Sequence, residues 1–241
     1  AFSDHLKPAL LVYDCMDELS SFKFASPEIK IWEQQLFAKA DIVFTGGMHL
    51  YEVKKKFHSN IFGVPSGIDV KHFTKARKFI KDPADQASIP HPRIGFYGVV
   101  DERFNLELLR SAAEQRPDWH FIIIGPTAKI DPATLPTNKN IHFIGMRDYK
   151  DLPGYLAGWD VAMMPFEKNE ATKYISPTKT PEFLAAGKPV VSTSIHDVVH
   201  PYADKKVVSI ADTPGEFVAA IEQYLSTERS KSWLKDVDAL L

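Results

Sequence analysis

The chain has 241 residues, 44% hydrophobic and 25% charged, with a formal net charge of −2. That length holds one full core and part of a second, and the near-neutral balance argues against a nucleic-acid partner, which needs a concentrated basic surface. A single cysteine, Cys15, excludes an intrachain disulfide and reads as a small core filler; no run approaches the roughly 20 apolar residues of a membrane span.

Residues 9–14 are apolar and end in an acid, which reads as a strand. Ser26-Pro27 offers an N-cap and a first-turn proline for a helix over 29–39, where Ile29, Trp32 and Leu36 recur at helical spacing. Residues 41–45 form a second strand, 49–57 a second helix and 60–64 a third strand, closed by Pro65-Ser66-Gly67. Three strands in about 70 residues are too few for a sheet covered on both faces. Residues 1–72 are therefore expected to be the C-terminal portion of a larger domain. Residues 73–92 lose apolar periodicity and gain Pro83, Pro90 and Pro92, the pattern of a linker.

From 93 to 228 the alternation resumes. Strands are expected at 93–97, 120–124, 141–144, 160–165, 189–193 and 207–210, with helices at 105–115, 151–157, 181–186 and 214–225. Near-continuous Ile, Val and Phe in several strands fit a parallel sheet covered on both faces. Residues 229–241 read as a short amphipathic helix with Trp233 and Leu234 on its apolar side. The fold class is α/β: one complete Rossmann-like domain preceded by the last part of another.

The strongest chemical signal is Ser176-Pro177-Thr178-Lys179-Thr180-Pro181-Glu182, a stiff polar loop feeding a helix that Gly187 closes. Backbone N–H groups at a helix start, with hydroxyls and a lysine, suit a diphosphate. Glu182 can accept hydrogen bonds from vicinal hydroxyls. The plainer alternative makes Ser176 or Thr180 a cap and Glu182 a dipole-compensating surface acid. Gly98 follows a buried strand directly, where a missing side chain lets backbone approach a ligand; an ordinary tight turn is the alternative. No G-x-G-x-x-G is present, so the dinucleotide fingerprint is absent. Arg103 is either a phosphate contact or the partner of Asp101 or Glu102. Asp14 and Asp17 end a strand, where acids tend to line a ligand crevice; Asp17 alternatively caps a turn. The nine histidines show no metal-ligand spacing.

The 176–193 stretch is similar to the loop, helix and strand of GT-B glycosyltransferases of the family 4 type. In that family a glutamate holds the donor ribose hydroxyls and the preceding loop holds the pyrophosphate. Glu182 falls on that glutamate; Pro177, Thr178 and Lys179 fall on the loop. Four further segments resemble the family in order: Val64-Pro65-Ser66-Gly67-Ile68-Asp69 with His72-Phe73, then Ile94 to Gly98, Ile141 to Gly145, and Asp160 to Phe166. The resemblance implies a GT-B protein, N-terminally truncated, that moves a sugar from a nucleoside-diphosphate sugar to a hydroxyl with retention.

It also implies a UDP- or GDP-linked donor and a saccharide or lipid-linked acceptor, in cell-surface polysaccharide or glycolipid synthesis. Donor contacts would come from Gly98, Arg103, Gly125, Ile144, Gly145, Pro177, Thr178, Lys179 and Glu182. Lys179 would meet the leaving group, and Asp14 or Asp17 the acceptor. No metal or other cofactor is expected. The expected setting is the cytoplasm, with membrane contact through the missing N-terminal part, and the fragment alone is expected to be inactive. Two departures stand out: Val99 replaces the arginine that many members carry after the glycine, and Tyr174 stands where the E-x7-E pattern puts its first acid, Glu170 lying four residues too early. A nucleotide-sugar epimerase of the same fold and a non-catalytic nucleotide-sugar-binding module are the competing readings.

Overall fold

The computed structural model describes residues 5–78, 81–227 and 230–241. It divides into two compact units. The first takes the chain up to Gly67 together with Asn169–Pro177 and Ile195–Asp197. Here β1 (Val12–Cys15), β2 (Ile42–Thr45) and β3 (Ile61–Gly63) pair in parallel in that order, with helices α1 (Ile29–Lys39) and α2 (Met48–Lys54) between them. Cys15, Phe37, Val43, Leu50 and Ile61 form the core, and Tyr13, Ala40, Tyr51 and Tyr174 pack against it. Burial pushes the Cys15 thiol up to about 11, so it stays an unreactive thiol at neutral pH. Helix α1 starts two residues later than the Ser26-Pro27 signal suggests: its N-cap is Glu28, without a side-chain cap, and the Ser26 hydroxyl lies just ahead of it, accepting from the Glu28 N–H at 3.4 Å and donating to the Glu28 carboxylate.

The second unit takes Ile68–Lys168, Thr178–Ser194 and Val198–Leu241. It opens with the single turn α3 (Val70–Phe73), capped by the Asp69 side chain, which accepts from the His72 N–H at 2.9 Å. Then follow β4 (Arg93–Tyr97), α4 (Leu106–Gln115), β5 (His120–Ile124), β6 (Ile141–Gly145), α5 (Leu152–Ala157), β7 (Val161–Met164), α6 (Lys179–Ala185) and β8 (Val190–Ser192). The short turn α7 (His196–Val198) belongs to the first unit in His196 and Asp197, and β9 (Val208–Ile210), α8 (Pro214–Ser226) and α9 (Lys231–Asp238) complete the order. The six strands are all parallel, in the order β6-β5-β4-β7-β8-β9. Strand order therefore reverses between β4 and β7, the doubly wound arrangement whose crevice lies at the carboxyl ends of those two strands. Ile94, Phe121, Ile122, Val161, Met163, Val190 and Val191 are fully buried, as both-face coverage requires.

The stretch read as a linker, 73–92, is instead built into this unit. Phe73, Ala76 and Ile89 are buried. The buried Gln86 side chain accepts from the Trp159 indole N–H at 2.9 Å and donates to the Tyr155 carbonyl at 3.1 Å, and Asp82 pairs with buried Arg93 at 2.5 Å. Its prolines break periodicity without loosening the packing. The first unit also ends at Gly67 rather than 72, and it recruits two segments from the second half of the sequence. The expected boundary at 228/229 lies outside the described residues. Helix α9 packs through buried Val237, with Trp233 and Leu234 half-buried, and Asp238 pairs with Arg77 at 2.7 Å.

Helix α6 carries the main chemical motif, and its position is firmly fixed. Phe183, Leu184 and Ala185 have no exposed surface; a large apolar side chain so buried contributes about 1.5–3 kcal/mol. At its far end the Arg77 Nε–H donates to the Ala185 carbonyl at 2.7 Å, and the Lys188 ammonium donates to the carbonyls of Ala157 at 3.0 Å and Trp159 at 2.7 Å.

Candidate functional site

Three glycines stand at the carboxyl ends of the adjacent strands β4, β5 and β6. Gly98 donates its N–H to the Ile124 carbonyl at 2.8 Å, and Gly125 donates to the Gly145 carbonyl at 2.9 Å. A Cβ on Gly125 would lie 1.9 Å from the Gly98 carbonyl oxygen, and both residues have positive φ, +137° and +149°. Only glycine permits this backbone-on-backbone approach. A Cβ on Gly98 would lie 2.4 Å from Lys179 Cε, so the lysine arm from the first turn of α6 runs directly across Gly98. The glycine row, with Ile144 half-buried beside Gly145, leaves the ends of these three strands without side chains of their own, and the Lys179 arm takes the space over Gly98.

Lys179 and Glu182 lie three residues apart on one face of α6. Glu182 is buried, and the Tyr97 phenol at the end of β4 donates to its Oε2 at 2.6 Å. Its Oε1 has no protein partner among the described residues. Burial raises the Glu182 carboxyl pKa, against the opposing effects of the Tyr97 hydrogen bond, Lys179 and His72. Tyr97 is pushed far up by burial and then by the Glu182 charge, so the phenol keeps its proton and acts as donor.

The Lys179 ammonium makes no hydrogen bond or ion pair among the described residues. Burial lowers its pKa; Arg103 pushes the same way, while Glu182 and Asp101 oppose. A raised acid and a lowered base on one helix face are both short of stabilising contacts. A ligand with a diol for the carboxylate and an anion for the ammonium supplies what each lacks.

Arg103 lies near this ammonium, but its guanidinium is held by buried Asp101, with Nη2 2.6 Å and Nε 3.0 Å from the carboxylate. Of the two sequence readings, the ion pair is the one the structure builds, and it fixes the arginine's position. Thr178 stands at the N-cap position of α6 without a side-chain cap bond. Thr180 is turned away: its buried hydroxyl points to Met164 Sδ at 3.3 Å, so it is neither a cap nor a ligand contact. Asp14, exposed on β1, and Asp17, half-buried just after it, belong to the first unit. Pro177 is the last first-unit residue before Thr178. Tyr174, in the expected place of an acid, is half-buried against the first unit's core, its ring centroid 5.2 Å from His49, and Glu170 is exposed and pairs with Lys173.

Three residues of the site escape sequence reasoning. Tyr97 fixes Glu182, although a hydroxyl closing the buried run Ile94 to Tyr97 was a usable signal. Buried His72 lies close enough to act on Glu182 and stacks on Tyr149 at 4.5 Å between centroids, with an interplanar angle of 11°. Half-exposed Tyr149 is pushed up by burial and then by Glu182 and Asp69, which puts an aromatic face beside the carboxylate. Among the described residues no three His, Cys, Asp or Glu gather as a metal site, and no helix is long and apolar enough to cross a membrane.

A Bacillus subtilis (strain 168) protein, TuaH, whose name provisionally assigns it as a glycosyltransferase of teichuronic acid biosynthesis, is 28% identical over 92% of this chain. The chain spans 60% of that relative's length. The Anabaena protein Alr3699/HepE, solved with UDP and glucose, has a TM-score of 0.66 at 16% identity, covering 96% of this chain and 66% of that one. Sucrose-phosphate synthase from Thermosynechococcus elongatus has a TM-score of 0.65 at 18% identity, covering 90% and 59% respectively. These likenesses carry the fold, a GT-B type of which this chain holds one complete Rossmann-like unit and part of another. The sequence pattern of the family described as glycosyl transferases group 1 matches residues 91–227, and the chain belongs to that family.

Proposed function

We propose that the second unit binds the nucleoside-diphosphate sugar donor of a glycosyltransferase. The observation that carries this reading is the pairing on α6 of a buried carboxylate with one open oxygen and an unpaired ammonium lying across a bare glycine. Glu182 would accept from the ribose hydroxyls, Lys179 would face the diphosphate with Arg103 behind it, and Gly98 and Gly125 would let the phosphates approach the strand ends. Ile144 and Gly145 would border the base. In the reaction the bond from the sugar's anomeric carbon to the diphosphate oxygen breaks, the acceptor hydroxyl oxygen bonds to that carbon, and the hydroxyl proton passes to the acceptor-side carboxylate or the departing diphosphate. Negative charge then grows on the leaving diphosphate, where a preorganised cation in a poorly solvated site stabilises it most.

UDP is the proposed carrier; complexes of HepE with UDP, and with UDP and glucose, support it. The proposed setting is cell-surface polysaccharide assembly on a saccharide or lipid-linked acceptor. The names of TuaH and of WaaG, a glycosyltransferase involved in lipopolysaccharide biosynthesis, support that setting. Retention of anomeric configuration is proposed on the family likeness, with Asp14 or Asp17 as acceptor-side carboxylate. The chain by itself is proposed to bind donor without turning it over.

A thermal-shift comparison of UDP-, GDP- and ADP-glucose tests the reading. The UDP sugar should raise the melting temperature most, since a ligand stabilises the folded state it binds by mass action. No shift with any of the three would overturn the donor assignment.

A further inference from the structure

Two segments from the second half of the sequence, Asn169–Pro177 and Ile195–Asp197, belong to the first unit, and one carboxylate secures both. Buried Asp197 accepts from the Met48 N–H through Oδ2 at 2.8 Å and from the His49 N–H through Oδ1 at 2.9 Å. It thereby satisfies two otherwise free donors at the start of α2 across 149 residues of sequence. The neighbouring His196 ring stacks on His49 with centroids 4.1 Å apart and an interplanar angle of 24°. His49 in turn holds the other segment, its Nδ1 lying 2.8 Å from the Lys173 carbonyl and its ring against Tyr174. Gly47 makes room for both: a Cβ there would lie 2.5 Å from Asp197 Oδ2 and 2.9 Å from Ser176 Cβ.

The anchored segment ends at Pro177, and the next two residues are Thr178 and Lys179. We propose that Asp197 is a positioning residue for donor binding: by capping α2 and fixing His49 it anchors residues 169–177, so that Thr178 and Lys179 are already ordered when the nucleotide sugar arrives. A loop ordered in advance binds more tightly, because less freedom is lost on association. The proposal also gives Tyr174 a task, as the aromatic side of the anchor. It rests on the reading of Lys179 and Glu182 as the donor site.

The test is calorimetric titration of UDP-glucose into the chain and into Asp197→Ala, Asp197→Asn and Gly47→Ala, with amide hydrogen exchange on each. Asp197→Ala should weaken binding roughly tenfold, as loss of a cap does when coupled to a site. Asp197→Asn keeps one acceptor oxygen and should cost roughly threefold. Gly47→Ala displaces the same carboxylate without altering it, presses on Ser176 in the anchored segment as well, and should weaken binding at least as much as Asp197→Ala. Exchange should quicken over 169–177 while the six-stranded sheet stays protected. Merely structural damage would reduce the binding-competent fraction and leave the dissociation constant of the folded molecules unchanged. If the unaltered chain binds and both Asp197→Ala and Gly47→Ala bind within about twofold of it, or if exchange over 169–177 does not change, the positioning role is wrong and the donor site stands. If the unaltered chain does not bind UDP-glucose, the donor reading falls and takes this role with it.

Discussion

Each unit holds a lysine withdrawn from solvent near carboxylates, fully buried at Lys54 and half-buried at Lys179, and the two lysines behave in opposite ways. In the first unit the Lys54 ammonium sits 2.6 Å from Glu18 and 2.6 Å from Glu33. Every oxygen of that pair is occupied: Glu18 also accepts from Ser20 at 2.6 Å, and Glu33 from the Tyr13 phenol at 3.3 Å. Burial alone would lower Lys54, but its hydrogen bonds to the two carboxylates outweigh it and raise the pKa. Glu18 is correspondingly lowered, the Lys54 and Ser20 hydrogen bonds overcoming burial. In the second unit burial dominates, so Lys179 is lowered and Glu182 raised. A buried charge with complete partners is a strut, whereas one with open valence is a candidate for ligand binding. Residue type alone does not separate the two.

The contrast is broken hardest at Lys54. Lys54→Met leaves Glu18 and Glu33 buried and uncompensated, and should destabilise the first unit by about 3–5 kcal/mol in denaturant melts. UDP-glucose affinity per folded molecule should hold. The same change at Lys179 should do the reverse: Lys179→Met weakens UDP-glucose binding by about tenfold or more through loss of a charge-assisted contact, with no loss of melting temperature, because its ammonium has no partner to lose.

Smaller effects follow from proton linkage. On the proposed roles, Glu182 has to be ionised and Lys179 protonated to bind donor. UDP-glucose affinity should therefore fall on the acid side at a pH above the ordinary glutamate value, and on the basic side at a pH below the ordinary lysine value. Calorimetry across pH reads both limbs; limbs at the ordinary values would contradict the burial argument. The smallest effect concerns His120 and His142, whose ring nitrogens lie 3.0 Å apart. Burial lowers both, with Arg93 adding to it at His120 and His120 adding to it at His142. Their folded pKa values lie below the unfolded ones, so their contribution is present above the ordinary histidine value and is lost as pH falls from there through the lowered folded values. A His142→Gln variant should flatten that part of the stability–pH curve.

Much of this was legible in the sequence because buried parallel strands are plain apolar runs. The strands 93–97 and 120–124 and the helix 29–39 match residue for residue. Lys179, Glu182 and the glycines at the ends of β4, β5 and β6 stood out as candidates in the sequence, and the structure places them at the carboxyl ends of strands in a doubly wound sheet. The rest depended on tertiary partners that no local pattern carries. Prolines made 73–92 look loose although Gln86 and Arg93 lock it in place. Arg103 was open between two roles until Asp101 was seen beside it. The departure of 169–177 and 195–197 to the first unit is set by Asp197 meeting the start of α2, a pairing 149 residues apart that local patterning cannot register.

The central claim is that Glu182 is kept buried for a ligand and not for the fold. Calorimetric titration of UDP-glucose into the chain and its Glu182→Ala variant, each checked by thermal melting, tests it most directly. The account predicts measurable binding by the unaltered chain, a loss of about a hundredfold or more in the variant, and an unchanged or higher melting temperature, since a carboxyl raised by burial is a cost to the folded state at neutral pH. Equal affinity in the two proteins, or a variant that unfolds while its folded fraction binds as before, would contradict it.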